Sequence, residues 1–401
     1  MHSRNRSGIK RVAVWAMVAG SLLSAGLGAP PRASAAEGTA PQAAAGAYQP
    51  GQPFISLEQV KAGWAQAQQQ MQPPRVKVKG IYLTSSTATR PDTFDPLLAL
   101  VERTELNAMV VNIKDDWGNV TFDFDHPVAR GAEAVHADFD DLEAFTGLLR
   151  SKNIYSIARI VTFKDAHVPQ YRPELAVHSS RGGIWRDYNS VPWLNPYNRQ
   201  AWEYAVDIAR AAALAGFDEI QFDYVRFPTD GEMSTLSYPG KDGREKAQVI
   251  GDFLAYARKE LHPYGVWVSA DVFGLITSLS DDLGIGHHLE EVSAGVDYLS
   301  PMVYPSHYIP GNLGLSHPNA APYETVYRSM LDAKERWEKA GLTGKVTVRP
   351  WLQDFSWGYP YGPAEVRAQI QATYDAGYNE WILWNAANVY TEAALQPPGK
   401  E

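Results

Sequence analysis

From residue 76 onward, short runs rich in β-branched and aromatic residues alternate with stretches of helical period, and this alternation is what most limits the fold. The runs are VKGIYLTS (78–85), NAMVVNIKD (107–115), YSIARIVTF (155–163), DEIQFDYV (218–225), GVWVSADVF (265–273), VDYLSPMVY (296–304), KVTVRPWL (345–352) and EWILWNA (380–386). Between them lie DPLLALVERT, DDLEAFTGLLRSK, RQAWEYAVDIARAAALAG, REKAQVIGDFLAYARKEL, YETVYRSMLDAKERWEKAG and PAEVRAQIQATYDAG, each with an apolar stripe. Only SDDLGIGHHLEEVSAG, between the fifth and sixth runs, lacks a strong helical pattern. Strands separated by helices pair in parallel, and eight such units over about 310 residues are the count of a closed (β/α)8 TIM barrel. An open doubly wound sheet is the competing architecture. It would place a GxGxxG turn after an early strand, and none is present. The barrel is therefore expected over residues 76–395.

The first 75 residues have another texture. MHSRNRSGIKR is basic, VAVWAMVAGSLLSAGLGA is apolar, and ASA at 33–35 supplies small residues for cleavage, so residues 1–35 read as a secretory signal peptide cut near Ala35. The alternative is an uncleaved anchor, but the glycines and serines make Val12 to Ala29 a poor span. Residues 36–75, rich in Ala, Gly, Pro and Gln, read as a flexible linker with a short helix at Ser56 to Gln70. Removing residues 1–35 takes away five basic side chains and no acid, so the net charge moves from −9 to about −14. Such a surface repels nucleic acid and anionic lipid, and no stable membrane insertion is expected of the mature chain. With no cysteine, thiol catalysis, thiolate zinc sites and disulfides are excluded. The aromatic content of 11% suits a surface that stacks on sugar rings.

Side chains alternate along a strand, so in the fourth run Ile220 and Phe222 face the helices while Glu219, Gln221 and Asp223 face the barrel axis. Asp223 then ends its strand at the carboxyl face, where barrel enzymes place reacting groups. In the fifth run Trp267, Ser269 and Asp271 share the inward face, and Asp271 again comes last. Two carboxylates in one cavity are the minimum for glycoside hydrolysis, one charged and one protonated. Around them the strand ends contribute candidate substrate contacts: Lys114, Asp115, Asp116 and Trp117 after the second strand, Arg159 on the third, Arg226 after the fourth, Tyr304 and His307 after the sixth, Arg349, Trp351 and Asp354 about the seventh, and Trp384 and Asn385 at the eighth. Arg159 and Arg349 either touch substrate or neutralise interior acids, and Arg226 is expected to pair with a nearby acid. Glu380 opens its strand and belongs to the stability face. Rings at Trp117, Trp185, Trp193, Trp351, Trp357, Tyr359, Tyr361 and Trp384 fall in or near loops, and those of SWGYPYG are expected to line a groove.

Together GIYLTS, VVNIKDDWGNV, FDEIQFDYVRFP, VSADVFG, DYLSPMVYPSHY and EWILWNA resemble the glycoside hydrolase domain family of bacterial secreted proteins, over about residues 76–390. The resemblance implies a glycosidase-type barrel. More distantly the chain is similar to alpha-amylase-type enzymes, in which an Asp ending strand four is the nucleophile and a Glu ending strand five the acid/base. That implies Asp223 for the first role and Asp271 for the second. Asp271 is one methylene shorter than the family's Glu, and Gln221 stands where amylases carry an Arg. The leading expectation is a secreted hydrolase of a polysaccharide or oligosaccharide that uses no cofactor. The alternatives are a glycan-binding barrel without catalysis at the cell wall, and a metal-assisted sugar deacetylase using Asp115, Asp116, Asp223, Asp271 and His307. No HxxxH or HExxH spacing supports the latter.

Overall fold

The computed structural model describes residues 73–399; the expected signal peptide, most of the linker and its short helix lie outside them. Eight parallel strands close on themselves: β1 (Lys79–Leu83), β2 (Ala108–Lys114), β3 (Tyr155–Val161), β4 (Glu219–Asp223), β5 (Trp267–Phe273), β6 (Tyr298–Met302), β7 (Trp351–Gln353) and β8 (Trp381–Trp384). Each pairs with its neighbours in sequence, and β1 pairs with both β2 and β8, so no edge remains. The chain is a (β/α)8 TIM barrel. Seven helices cover it: α1 (Pro91–Arg103), α2 (Leu142–Ser151), α3 (Arg199–Leu214), α4 (Lys246–Leu261), α5 (Leu289–Ala294), α6 (Pro322–Ala340) and α7 (Pro363–Asp375). Local chemistry sets their ends. Asp141 and Asn198 cap α2 and α3 by accepting from Ala144 N and Gln200 N, and Gly341 stops α6 at φ 66°. The helix read as starting near Asp95 begins a turn earlier, because Pro91 takes the first-turn position.

Strand alternation divides the interior in two. Outward residues build the main apolar layer against the helices: Phe222 and Phe163 meet Phe253 of α4 edge-on, both at 5.3 Å between ring centroids. Inward residues include a second apolar cluster with Tyr82, Val110, Ile157, Trp351 and Ile382, but also many polar groups. At the amino end, Arg349 donates to Glu219 at 2.8 Å and to Glu380 at 3.0 Å and lies 4.2 Å from the Tyr298 ring. Pro73 and Arg75 close that end, since Trp267 Nε1 donates to Pro73 O and Arg75 stacks on Trp267 and Tyr298. The structure adds elements absent from the sequence reading. A short strand Val120–Phe122 turns back on β2 and pairs with Val135–Phe139, and His178–Ser179 pairs with Leu236–Ser237, tying together the loops after β3 and β4. The seventh run is split into Thr347–Val348 and β7 by Pro350, which has no N–H to donate.

Candidate active site

Register brings the two acids level. Gln221 is beside Ser269 and Phe222 beside Ala270, so Asp223 and Asp271 come next to each other at the carboxyl mouth. Both are nearly enclosed, at 7% and 2% exposure. Asp223 is held by charge: Arg159 Nε donates to Oδ2 at 3.0 Å, and the backbone N–H of Tyr224 donates to Oδ1 at 2.6 Å. Tyr224 has φ 47°, the left-handed region that a non-glycine residue enters only under constraint, and this turn is what aims its N–H back at the carboxylate. Arg159 in turn donates to Asn112 Oδ1 at 2.6 Å and Asp116 Oδ1 at 3.0 Å. Burial works against its charge, and Asp116 and Asp223 outweigh that, so its pKa stands well above the ordinary value.

Asp271 has a different environment. Its hydrogen-bond donor is the indole of Trp351, 2.6 Å from Oδ1, and among the described residues no cation pairs with it. Burial first, and the charge of Asp223 second, push its carboxyl well above the usual carboxylate range, while Trp351 and Arg159 pull more weakly the other way. Tyr304 stands over the same centre, its phenol pushed up by burial and by the charges of Asp271 and Asp223. One wall is aromatic: Trp384 stacks on Tyr82 at 4.1 Å and meets Trp351 edge-on at 5.5 Å.

Several candidates lie elsewhere or do other work. Arg349 sits at the opposite end of the barrel, because it precedes β7 and its partners are the first residues of other strands. Lys114 is fully buried against Asp165 at 2.9 Å and the Val161 carbonyl, so it braces the β2 and β3 ends. Asp115 folds its own turn by accepting from Trp117 N and Asn119 N. Asp354 and Asn385 tie the loops after β7 and β8, Asp354 accepting from Thr391 and Asn385 donating to the Asp354 carbonyl. Arg226 is buried among rings and makes no ion pair among the described residues, contrary to the expected pairing; its Nη1 donates to Phe227 O and Thr229 Oγ1. His307 packs edge-on against Tyr304, Phe355 and Trp357, and burial pushes its pKa down to about 4, so it is neutral near pH 7. Trp117 is 54% exposed on the rim, whereas Trp185 and Trp193 are core.

Tyr82, Asn112 and Phe273 were missed. All three lie on inward positions of strands already assigned, so extending the alternation to β1, β2 and the end of β5 would have found them. Among the described residues no group of three or more His, Cys, Asp or Glu side chains is placed to hold a metal ion, and no helix is long and apolar enough to cross a membrane.

Residues 80–390 match a family described as "Putative glycosyl hydrolase domain". Among solved structures, a hypothetical protein from Ruminiclostridium thermocellum ATCC 27405 is 39% identical over 51% of this chain and 98% of its own, with a TM-score of 0.45. The glycoside hydrolase domain of PgaB (BpsB) from Bordetella bronchiseptica is 15% identical over 78% of this chain and 95% of its own, with a TM-score of 0.57, a likeness of fold. The glycoside hydrolase domain of PelA from Pseudomonas aeruginosa is 12% identical over 78% and 96%, with a TM-score of 0.45. No curated protein matches the chain.

Proposed function

This chain belongs to the putative glycosyl hydrolase domain family, and from that membership we propose that it is a secreted glycoside hydrolase that cleaves an O-glycosidic bond in a polysaccharide or oligosaccharide with Asp223 and Asp271. Asp271 holds a proton and passes it to the glycosidic oxygen as the bond from that oxygen to the anomeric carbon breaks. Asp223, paired with Arg159, is the carboxylate that meets the positive charge developing at that carbon, and water supplies the hydroxyl that replaces the leaving sugar while its other proton restores the acid. Trp384, backed by the buried Tyr82, and the rim Trp117 offer ring faces for stacking. Export rests on the basic, apolar and small-residue order of residues 1–35.

The observation that carries this reading is the unequal treatment of two adjacent carboxyls. One faces a guanidinium at 3.0 Å; the other has only an indole N–H, and its pKa is raised by burial and by its neighbour. The test is a reducing-end assay on a panel of cell-wall, capsular and plant polysaccharides. Asp223→Asn and Asp271→Asn, each checked for intact folding by circular dichroism, are expected to lose at least 1,000-fold in rate. Full turnover in both variants would refute the assignment. Binding without turnover in the unaltered protein would mark it as a glycan-holding barrel.

A further inference from the structure

Arg226 is buried to 8% exposure at the mouth of the barrel. Its guanidinium lies 5.0 Å from the Trp193 ring, 5.0 Å from Tyr224 and 4.9 Å from Phe273. Tyr224 directly follows Asp223, and Asp223, Asp187 and Asp230 are the acids whose charges reach the guanidinium, so the cation lies on the Asp223 side of the mouth. The acids around it are turned to other donors. Asp223 takes Arg159 and Tyr224 N; Asp187 takes Asn189 N, Val191 N and Trp193 Nε1; Asp230 takes the Thr229 hydroxyl. Arg226 itself spends only Nη1, on Phe227 O and Thr229 Oγ1, which leaves the Nε and Nη2 hydrogens without a hydrogen bond among the described residues. On the same Tyr224 ring a second cation, Lys164 Nζ, stands 5.0 Å from the centroid.

Nε and Nη2 keep contact with solvent although the guanidinium is largely enclosed, so a ligand can take the place of that water, and the fork they form matches two oxygens of one anion. We propose that Arg226 and Lys164 form an acid-recognising subsite beside Asp223, which takes an oxyanion carried by a sugar of the glycan. That group is the carboxylate of a hexuronic acid or a sulfate ester. The proposal rests on the hydrolase reading above, because it places the acidic sugar next to the bond that is cut. Aromatic walls at Trp193, Tyr224 and Phe273 lower the local dielectric and strengthen the charged contact.

The test is calorimetric titration of the Asp271→Asn protein, expected to hold glycan without turnover, with oligogalacturonate and oligomannuronate tetrasaccharides, their carboxyl-reduced counterparts, and a sulfated galactan tetrasaccharide. At least one acidic ligand should bind about tenfold or more tightly than its neutral counterpart. Adding Arg226→Gln should abolish that preference and leave the neutral sugar's affinity unchanged, and Arg226→Lys should restore part of it. Lys164→Gln, at a less buried position, should cut the preference about threefold and serves if the Arg226 variants do not fold. A preference for hexuronate assigns a carboxylate, and a preference for the galactan a sulfate. Equal affinity for acidic and neutral ligands, no binding of either, or a preference that survives Arg226→Gln overturns the subsite. Failure of the hydrolase reading would show instead as turnover retained by Asp223→Asn and Asp271→Asn.

Discussion

Replacing Asp271 by Asn is expected to stabilise the protein at neutral pH, although it alters a buried carboxyl that accepts a 2.6 Å hydrogen bond. The reason is the direction of the Asp271 shift. Burial and the charge of Asp223 raise its folded-state pKa well above 3.8, so the native state holds that proton more tightly than the unfolded chain does. Between the unfolded and folded pKa values the native state binds more protons, and stability falls as pH rises. Each unit of separation costs about 1.4 kcal/mol, the loss is complete once pH passes the folded value, and none of it is present below the unfolded value. The Asn amide imitates the protonated acid: its oxygen still accepts from Trp351, and its N–H groups face Asp223. The variant escapes the loss, which in a domain of this size is worth roughly 2 °C in melting temperature per unit. Thermal unfolding of both proteins from pH 4.5 to pH 8 measures it. The difference should widen with pH and then level off, and the pH where it levels reads the Asp271 pKa with no substrate needed. A constant difference across the range, or a wild type more stable at pH 8, would refute the account of why this carboxyl keeps its proton.

Trp351→Phe removes the indole donor and keeps the ring; a hydrogen bond to a charged acceptor is worth about 1 kcal/mol more than one to a neutral acceptor, so the basic limb of the pH–kcat/KM profile should move up by roughly half to one unit. A limb that stays put or moves down counts against Asp271 as the acid. Arg349→Met leaves Glu219 and Glu380 buried without their cation, and denaturant unfolding should show a loss of about 3–5 kcal/mol. The pH–kcat/KM profile of the protein that remains folded should keep its shape, because Arg349 lies at the far end of the barrel from Asp223 and Asp271.

The barrel was legible because its signals are long and repeated. The sequence runs of seven to nine residues show a strand period even where the strand itself is as short as β7, and a helix of ten or more shows an apolar stripe, so all eight strands and six helices stand where the alternation puts them. The pairs Val120–Phe122 with Val135–Phe139 and His178–Ser179 with Leu236–Ser237 were not legible, since two or three residues carry no period and their partners are distant or irregular in register. The same limit separated candidates at the site. Alternation says that Lys114, Arg159 and Arg349 point inward, but not at what height or toward which charge. Arg349 reads like Arg159 in sequence, yet one precedes its strand by two residues and meets the stability face, while the other lies in the last turn of side chains below the mouth. Loop residues were harder still: Asp115 and Asp354 read as substrate contacts by position, and both accept backbone N–H groups that shape their loops.

Height and pairing together explain why a proton should sit on Asp271 and not elsewhere. Among the described residues, the cations carried on the strands or directly before them have their acids: Arg349 has Glu219 and Glu380, Lys114 has Asp165, and Arg159 has Asp223 and Asp116, while Arg226, in the loop after β4, is held among the Trp193, Tyr224 and Phe273 rings. Asp271 is the inward strand acid left over. A second charge on the mouth would face Asp223 across a low-dielectric space with only an indole N–H to offset it, and that is more costly than keeping the proton. Supplying a cation should therefore undo the arrangement. Ser300 lies beside Asp271 on β6, inside the barrel and fully buried, so a lysine there would have to ionise against Asp271 or stay neutral. The acid role of Asp271 thus depends less on its own position than on the strand cations being already paired and on Arg226 being held away from it among its rings.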